Sequence, residues 1–305
     1  LQMFAMIDKT DVEALIPTDE VRNIFKAVAE TSKVFELCTR LPDMSSNKEK
    51  LQVESPLPVV YWQGAPTAMK KTSKAAWENK YIYADELAVI IPIAEADLED
   101  SNYDLWGEIK PKIQEAIAKK IDEAVLFGGT DKPANFPDAI LTQATATGHV
   151  HTKGASETVY NAISETMGLV EDSGFTVNGL LGGTGIKKVF RGLVDTTGQL
   201  ITGDEISALP RALVGNGAWD STKAIAVVGD SKQAVSSVRQ DIRYKLLTEG
   251  VIQDDSGNII YNLAQQDMVA LRVTFRFGWQ LPNPVTAVQG DKTKRLPFAV
   301  LKPSA

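Results

Sequence analysis

One part of this chain has to be extended on two separate runs, and that limits its fold more than anything else. Residues 51 to 63 read LQVESPLPVVYWQ. Pro56 and Pro58 keep this run out of a helix and away from the middle of a sheet, because each lacks a backbone donor. A stretch short of large apolar residues and rich in lysine follows, GAPTAMKKTSK. The run AAWENKYIYADELAVIIPIAEADLED is then extended again, with Leu87, Val89, Ile91 and Ile93 on one face. Together the two runs make a long two-stranded arm with a basic tip. A lone hairpin is only marginally stable in water, so the arm is expected to rest on its own domain or on a neighbouring subunit.

The remaining pattern mixes helices and strands. Residues 18 to 37 repeat Val21, Ile24, Phe25, Val28, Val34 and Phe35 at helical spacing, with Thr18 or Asp19 as cap. LPDMSSNKEK reads as a loop. The longest helical pattern is 104 to 127, where Ile109, Ile113, Ala116, Ile117, Ile121, Ala124 and Val125 form one stripe. Pro111 is expected in its first turn or at a kink. Gly128 and Gly129 end it, and DKPANFPDAIL reads as a loop. From Ser156, a cap, the chain alternates: a helix, the short strand FTVNGLL, the helix TGIKKVFRGLVD, a buried strand AIAVV, a mixed segment, the hairpin VIQDDSGNIIY and the strand QDMVALRVTFRFGWQ. In that last strand Val269, Leu271, Val273, Phe275 and Phe277 share a face, which is expected to pack on Ile113, Ile117 and Ile121. Met268, Ala270, Arg272, Thr274 and Arg276 share the other.

Motifs for chemistry are thin. GLLGGTGIKK fits neither a phosphate-binding G-x-x-x-x-G-K-[ST] loop nor G-x-G-x-x-G, since Lys188 stands where the last glycine belongs. It reads as a tight strand-to-helix turn in which glycine supplies backbone freedom. His149 and His151 fall in TATGHVHTKGA, read as a polar surface loop without a nearby carboxylate. The GDS at 229 to 231 lacks a nucleophile elbow. Cys38 is the only cysteine, so no intrachain disulfide or cysteine-built metal site can form, and it reads as a small buried apolar residue. A net charge of −7 argues against a surface that grips nucleic acid by phosphate neutralisation. No run is long enough to span a membrane, and the first residues, LQMFAMIDKT, do not read as a signal peptide; Leu1 in place of Met points to a processed product or part of a longer chain. No cofactor, metal site or catalytic residue is expected.

The order of the parts resembles the major capsid proteins of tailed bacteriophages with the Hong Kong 97-type fold. LAVIIPIAEADLEDS resembles that family's passage from arm to helix. PDAIL resembles its P-x-G-[IL] turn, with Asp138 and Ala139 departing from the pattern. FTVNGLLGGTGIKKVFRGLVDTTGQLI keeps Asn178, Leu193, Asp195 and Gly198 where the family has its N-P…L-x-x-L-x-D-x-x-G passage. AIAVVGDSKQAV, RQDIRYKL and the closing strand with Arg272 and Arg276 are similar too.

This resemblance implies an α+β fold with an amino-terminal arm (1–50), an extended β-hairpin loop (51–85), a peripheral domain in two segments (86–150 and 263–305) with 104–127 as spine helix, and an axial domain (151–262). It implies a shell protein, not an enzyme, with itself as partner in pentamers and hexamers. Portal and scaffold or head-maturation proteins are further expected partners. The shell would enclose double-stranded DNA without sequence-specific binding, be assembled in the host cytoplasm and end in the virion. A nanocompartment shell protein of the encapsulin type, with the same fold, is the alternative. The candidate intersubunit contacts are Trp62, Lys70, Lys71, Lys74 and Trp77 on the arm, and Arg272 and Arg276, about 13 Å apart at ~3.3 Å per residue, on the closing strand.

Overall fold

The computed structural model describes residues 32–55, 58, 60–62, 69, 72–73, 76–101, 104–129, 131–192 and 205–304. In chain order these hold α1 (Lys33–Leu37), β1 (Thr39–Arg40), β2 (Lys48–Ser55), β3 (Ala76–Tyr83), β4 (Asp85–Ala94), α2 (Glu95–Asp100), α3 (Leu105–Leu126), α4 (Ile140–Thr147) and β5 (Val150–Thr152). There follow α5 (Val159–Glu171), β6 (Gly179–Gly183), α6 (Ile186–Arg191), α7 (Glu205–Ala208), β7 (Arg211–Val214), β8 (Ala226–Gly229), β9 (Val235–Leu247), β10 (Val251–Gln253), β11 (Ile259–Asn262), β12 (Met268–Gln280) and β13 (Phe298–Lys302).

Two sheets form the body. One has the order β1-β9-β12-β4, the other β5-β13-β8-β6-β7. β12 is central in the first, antiparallel to both neighbours. Its alternation works as the sequence predicts. Leu271 and Val273 pack with Ile113 and Ile117 of α3, while Phe275, Phe277 and Trp279 enter a larger core with Ile121 and Val125. That core also takes Leu181, Val227, Phe298 and Val300 from the second sheet, so the two sheets share one interior. The far side of the second sheet is covered by α5, whose Ala162, Ile163, Met167 and Val170 pack on Val228, Ala299 and Leu301.

The sheets do not follow the division read from sequence. β13 lies within 263–305, yet it pairs with β8 and β5 in the second sheet. β9 lies within 151–262, yet it pairs with β12. The chain crosses between the sheets, and a long-range pairing partner leaves no local signature. Several local readings are corrected. The arm's first strand starts at Lys48, inside the stretch read as a loop, and α4 occupies ILTQATAT, for which no helix was expected. The cap of α5 is Thr158 rather than Ser156, accepting from the Asn161 N–H at 3.3 Å. Pro111 stands in the second turn of α3, not its first; Asp104 caps that helix by accepting from the Gly107 N–H. Of the helix expected over 18 to 37, α1 is the described end; the rest lies outside the described residues.

Residues that hold the interior together include a carboxyl group. Asp122 is fully buried on α3. Its carboxylate accepts from the Ser32 hydroxyl, from the N–H groups of Lys33 and Val34, and from the Asn216 amide at 2.8 Å. It thereby joins the start of α1, the helix α3 and the loop after β7. Burial pushes its pKa up, and these donors oppose the shift.

Candidate assembly surfaces

The arm is β2 paired antiparallel with β3, from Lys48↔Tyr83 out to Ser55↔Ala76. Its root is anchored. Ile82 is fully buried, and it lies so close to Gly278 of β12 that a Cβ there would come within 2.7 Å of it. Lys80 donates to the Leu281 carbonyl at 3.0 Å, and Gln280 donates to the Tyr81 carbonyl at 2.8 Å. The ammonium of Lys48 sits 4.0 Å above the Tyr81 ring.

The far end differs. Val60 is 91 %, Met69 93 % and Trp62 103 % exposed. The ladder ends before Trp62, and Trp77 stands opposite Glu54, so the two tryptophans are not a directly opposed cross-strand pair. Lys70, Lys71 and Lys74 lie outside the described residues.

On β12, Arg276 is opposite Glu86 of β4, and its Nε lies 3.6 Å from the Glu86 carboxylate. Its Nη2 donates to Asn47 Oδ1 at 3.0 Å. One of the two arginines thus meets an acid of its own chain. Arg272 is exposed, between Lys245 of β9 and Ile90 of β4. Sequence reading missed Arg243 and Lys245, which share this outer face. Their i, i+2 spacing in RQDIRYKL was the available signal, but the segment was not recognised as a strand.

The expected face of Leu87, Val89 and Ile91 does turn toward α3. With Ile109, Ile113 and Ile117 it lines an open apolar groove of about 470 Å3 beside β4. β4 is the edge strand of its sheet, and Val89 is left 38 % exposed.

The features that suggested chemistry have structural jobs. Gly179–Gly183 is a buried strand, and none of its glycines has positive φ. Glycine is needed there for closeness rather than for backbone freedom: a Cβ on Gly183 would lie 2.6 Å from Trp219, and one on Gly182 would lie 3.1 Å from Ile186. Asn178 and the 229–231 motif form one network. The Asn178 amide donates to Asp230, and its oxygen accepts from the Ser231 N–H at 2.8 Å. This pins the start of β6 to the end of β8. Leu193, Asp195 and Gly198 lie outside the described residues.

The histidines are not in a polar surface loop. His149 is 5 % exposed, with Nε2 at 2.7 Å from the Ser173 hydroxyl, and burial lowers its pKa. His151 is on β5, and a carboxylate is near it after all, with Glu157 at 3.0 Å. Cys38 is buried as expected, and burial pushes its thiol up to about 12. Among the described residues no cluster of His, Cys, Asp or Glu could hold a metal, and no helix is long and apolar enough to cross a membrane.

An anchored arm with a bare apolar end, on a body of two sheets sharing a core, is an architecture that known proteins share. The profile described as the phage capsid family matches residues 13–289. The chain belongs to the phage capsid family. A curated relative, the major capsid protein of Staphylococcus phage 80alpha, is 29 % identical over 258 residues, covering 82 % of this chain and 76 % of the relative. A solved chain from Microbacterium phage Oxtober96 is 33 % identical with a TM-score of 0.81, covering 98 % of this chain and 100 % of that one. One from Mycobacterium phage Adephagia is 31 % identical with a TM-score of 0.83, covering 99 % of both. The capsid of a native gene transfer agent particle, 17 % identical with a TM-score of 0.66 over 99 % of this chain and 100 % of its own, shares the fold. This phage capsid chain therefore has the Hong Kong 97-type fold expected from its sequence, acts as a major capsid protein and is a structural component of the virion head. Capsid proteins work as multimers, so its exposed surfaces are to be judged as interfaces.

Proposed function

We propose that this capsid protein assembles into pentamers and hexamers that close an icosahedral head around double-stranded DNA, with the arm of each copy laid on a neighbour. The observation that carries this is the arm's far end. Val60, Trp62 and Met69 are each more than nine-tenths exposed on a segment whose root is packed and hydrogen-bonded. Large aromatics left in water at the end of a rigid support are interface anchors. Trp62 and Trp77, together with Lys70, Lys71 and Lys74, are the arm's contact residues, and Arg272 and Arg276 belong to a second contact on β12. The peripheral domain is the unit built on the four-stranded sheet and α3; the axial domain is the unit built on the five-stranded sheet and α5. Portal and scaffold or head-maturation proteins complete the head.

Electron microscopy of the purified chain tests the reading. Closed shells with five- and six-fold capsomers are expected. Replacing Lys70, Lys71 and Lys74 together by Glu should abolish shells while the subunit's circular dichroism stays unchanged. Normal shells from that variant would remove the lysines from the interface, and a parent chain that never self-associates would overturn the whole reading.

A further inference from the structure

The sheet face turned away from α3 carries positive charge that its own chain does not answer. Arg272 of β12 is directly opposite Lys245 of β9, and the next residue on this face, Thr274, is opposite Arg243. Among the described residues none of these three cations makes a side-chain hydrogen bond or an ion pair. Like charges directly across a ladder destabilise it. The cations line a concavity with Ala88 and Ile90, the latter 42 % exposed, and with Glu86, whose carboxylate faces Arg276 at 3.6 Å rather than any of the three. The chain as a whole carries a net charge of −7, yet in this concavity three cations stand beside one carboxylate, which faces Arg276.

The complement is on the same chain, out of reach. Helix α2, EADLED, carries Glu95, Asp97, Glu99 and Asp100 and no cation, and among the described residues none of these carboxylates has a partner. The Glu95 N–H donates to the Asp267 carbonyl at 2.9 Å, which holds α2 at the end of this sheet. Glu95 is five residues beyond Ile90, or roughly 16 Å along the strand, well past ion-pair distance from Arg272.

Resting on the reading of the chain as a self-assembling shell protein, we propose that α2 of one copy docks on the Arg243, Lys245 and Arg272 face of a neighbouring copy. Donor and acceptor surfaces differ, so the contact is heterologous. It passes from copy to copy and closes when the rotation between them closes a ring. Matched charge also selects the partner and the orientation at encounter.

Three variants of the full chain test it: Lys245→Glu with Arg272→Glu, Glu95→Lys with Glu99→Lys, and all four together. Each two-residue variant should lower the yield of particles, measured by sedimentation and microscopy, by about tenfold or more at unchanged circular dichroism. The four-residue swap should recover most of that loss. Normal particles from either two-residue variant, or no recovery from the swap, would overturn the contact, the latter pointing to another anion such as a nucleic-acid backbone. If charge reversal unfolds the subunit, Lys245→Gln with Arg272→Gln carries the test. It should flatten the salt dependence of assembly, and an unchanged salt dependence would count against the contact. A parent chain that never self-associates removes the capsid reading and this contact with it.

Discussion

Trp279 and Trp62 put the same side chain in opposite circumstances. Trp279 is 1 % exposed, stacked on Phe136 with ring centroids 6.3 Å apart, in the interior that both large sheets share. Trp62 is 103 % exposed at the end of the arm. The first is explained by one copy of the chain; the second is not. A soluble monomer gains nothing from a bare indole, whereas a subunit that must bury area against its neighbours does. The interior therefore sets whether the subunit folds, and the arm carries the contact proposed between subunits.

The largest effect should come from breaking the interior at that tryptophan. Trp279→Ala should cost about 3–5 kcal/mol of subunit stability in denaturant unfolding. A loss below about 1 kcal/mol would mean that the shared core is not what holds the two sheets together.

Asp122 sharpens the point, because it is a fully buried carboxyl group in the interior. Asn at this position would present an amide N–H2 toward donors that now find an acceptor. Asp122→Asn should therefore cost about 1–3 kcal/mol. The sign of its pH dependence is also set. Its pKa is raised in the folded state, mainly by burial. The folded chain thus holds this proton more tightly than the unfolded chain does. Its contribution falls as pH rises from about 4, the unfolded carboxyl value, through its higher folded value. Asp122→Asn should lack that slope; an unchanged slope would assign it to another group.

His149 acts in the other direction and more weakly. Burial lowers its folded pKa, so above the unfolded value of about 6.5 it contributes no pH dependence. Below that value the unfolded chain takes up a proton that the folded chain refuses, and stability falls. The thermal midpoint should drop between about pH 6.5 and 5 in the parent and drop less in His149→Gln. Identical profiles would show that His149 takes up its proton equally in the folded and the unfolded chain.

What could be read from the sequence followed the same boundary between local and distant causes. The stripe of α3 and the alternation of β12 are local periodicities, and they led to the correct packing of Leu271 and Val273 on Ile113. The place of β13 beside β8 depends on a pairing across about seventy positions, which no local pattern encodes. Gly182 and Gly183 looked like turn residues because their partners, Ile186 and Trp219, are known only once the chain has folded. His149 looked like a loop residue because the hydroxyl that satisfies it belongs to Ser173, beyond α5. Of the candidate contacts, Arg272 and Arg276 were legible through alternation. Arg243 and Lys245 were not, since they matter only through the register that sets Lys245 opposite Arg272. The sequence of α3 carries a signal of its own: Asp122 follows Ile121 on a stripe that continues to Val125, an ionisable group on a face that must be buried.

The smallest effect on the subunit should come from the arm's own tryptophan, and there the two regions part. Trp62 loses no buried area when truncated in an isolated copy, because it has none to lose. Trp62→Ala should leave subunit stability within about 0.5 kcal/mol of the parent, as exposed substitutions do. If Trp62 is the proposed anchor, the same truncation opens a gap in the assembled shell, where aromatic truncations at anchors cost about 2 kcal/mol or more. That difference is what a coupled pair of measurements reads: denaturant unfolding of the dissociated subunit, and the protein concentration needed for shells to form. At about 1.4 kcal/mol per tenfold, the concentration threshold should rise by tenfold or more while unfolding does not move. If both measurements stayed at their parental values, Trp62 would be an ordinary exposed residue and the arm's contact would have to run through its other side chains. If unfolding shifted by as much as the threshold, Trp62 would be part of the subunit's own fold, and the contrast with Trp279 would fail.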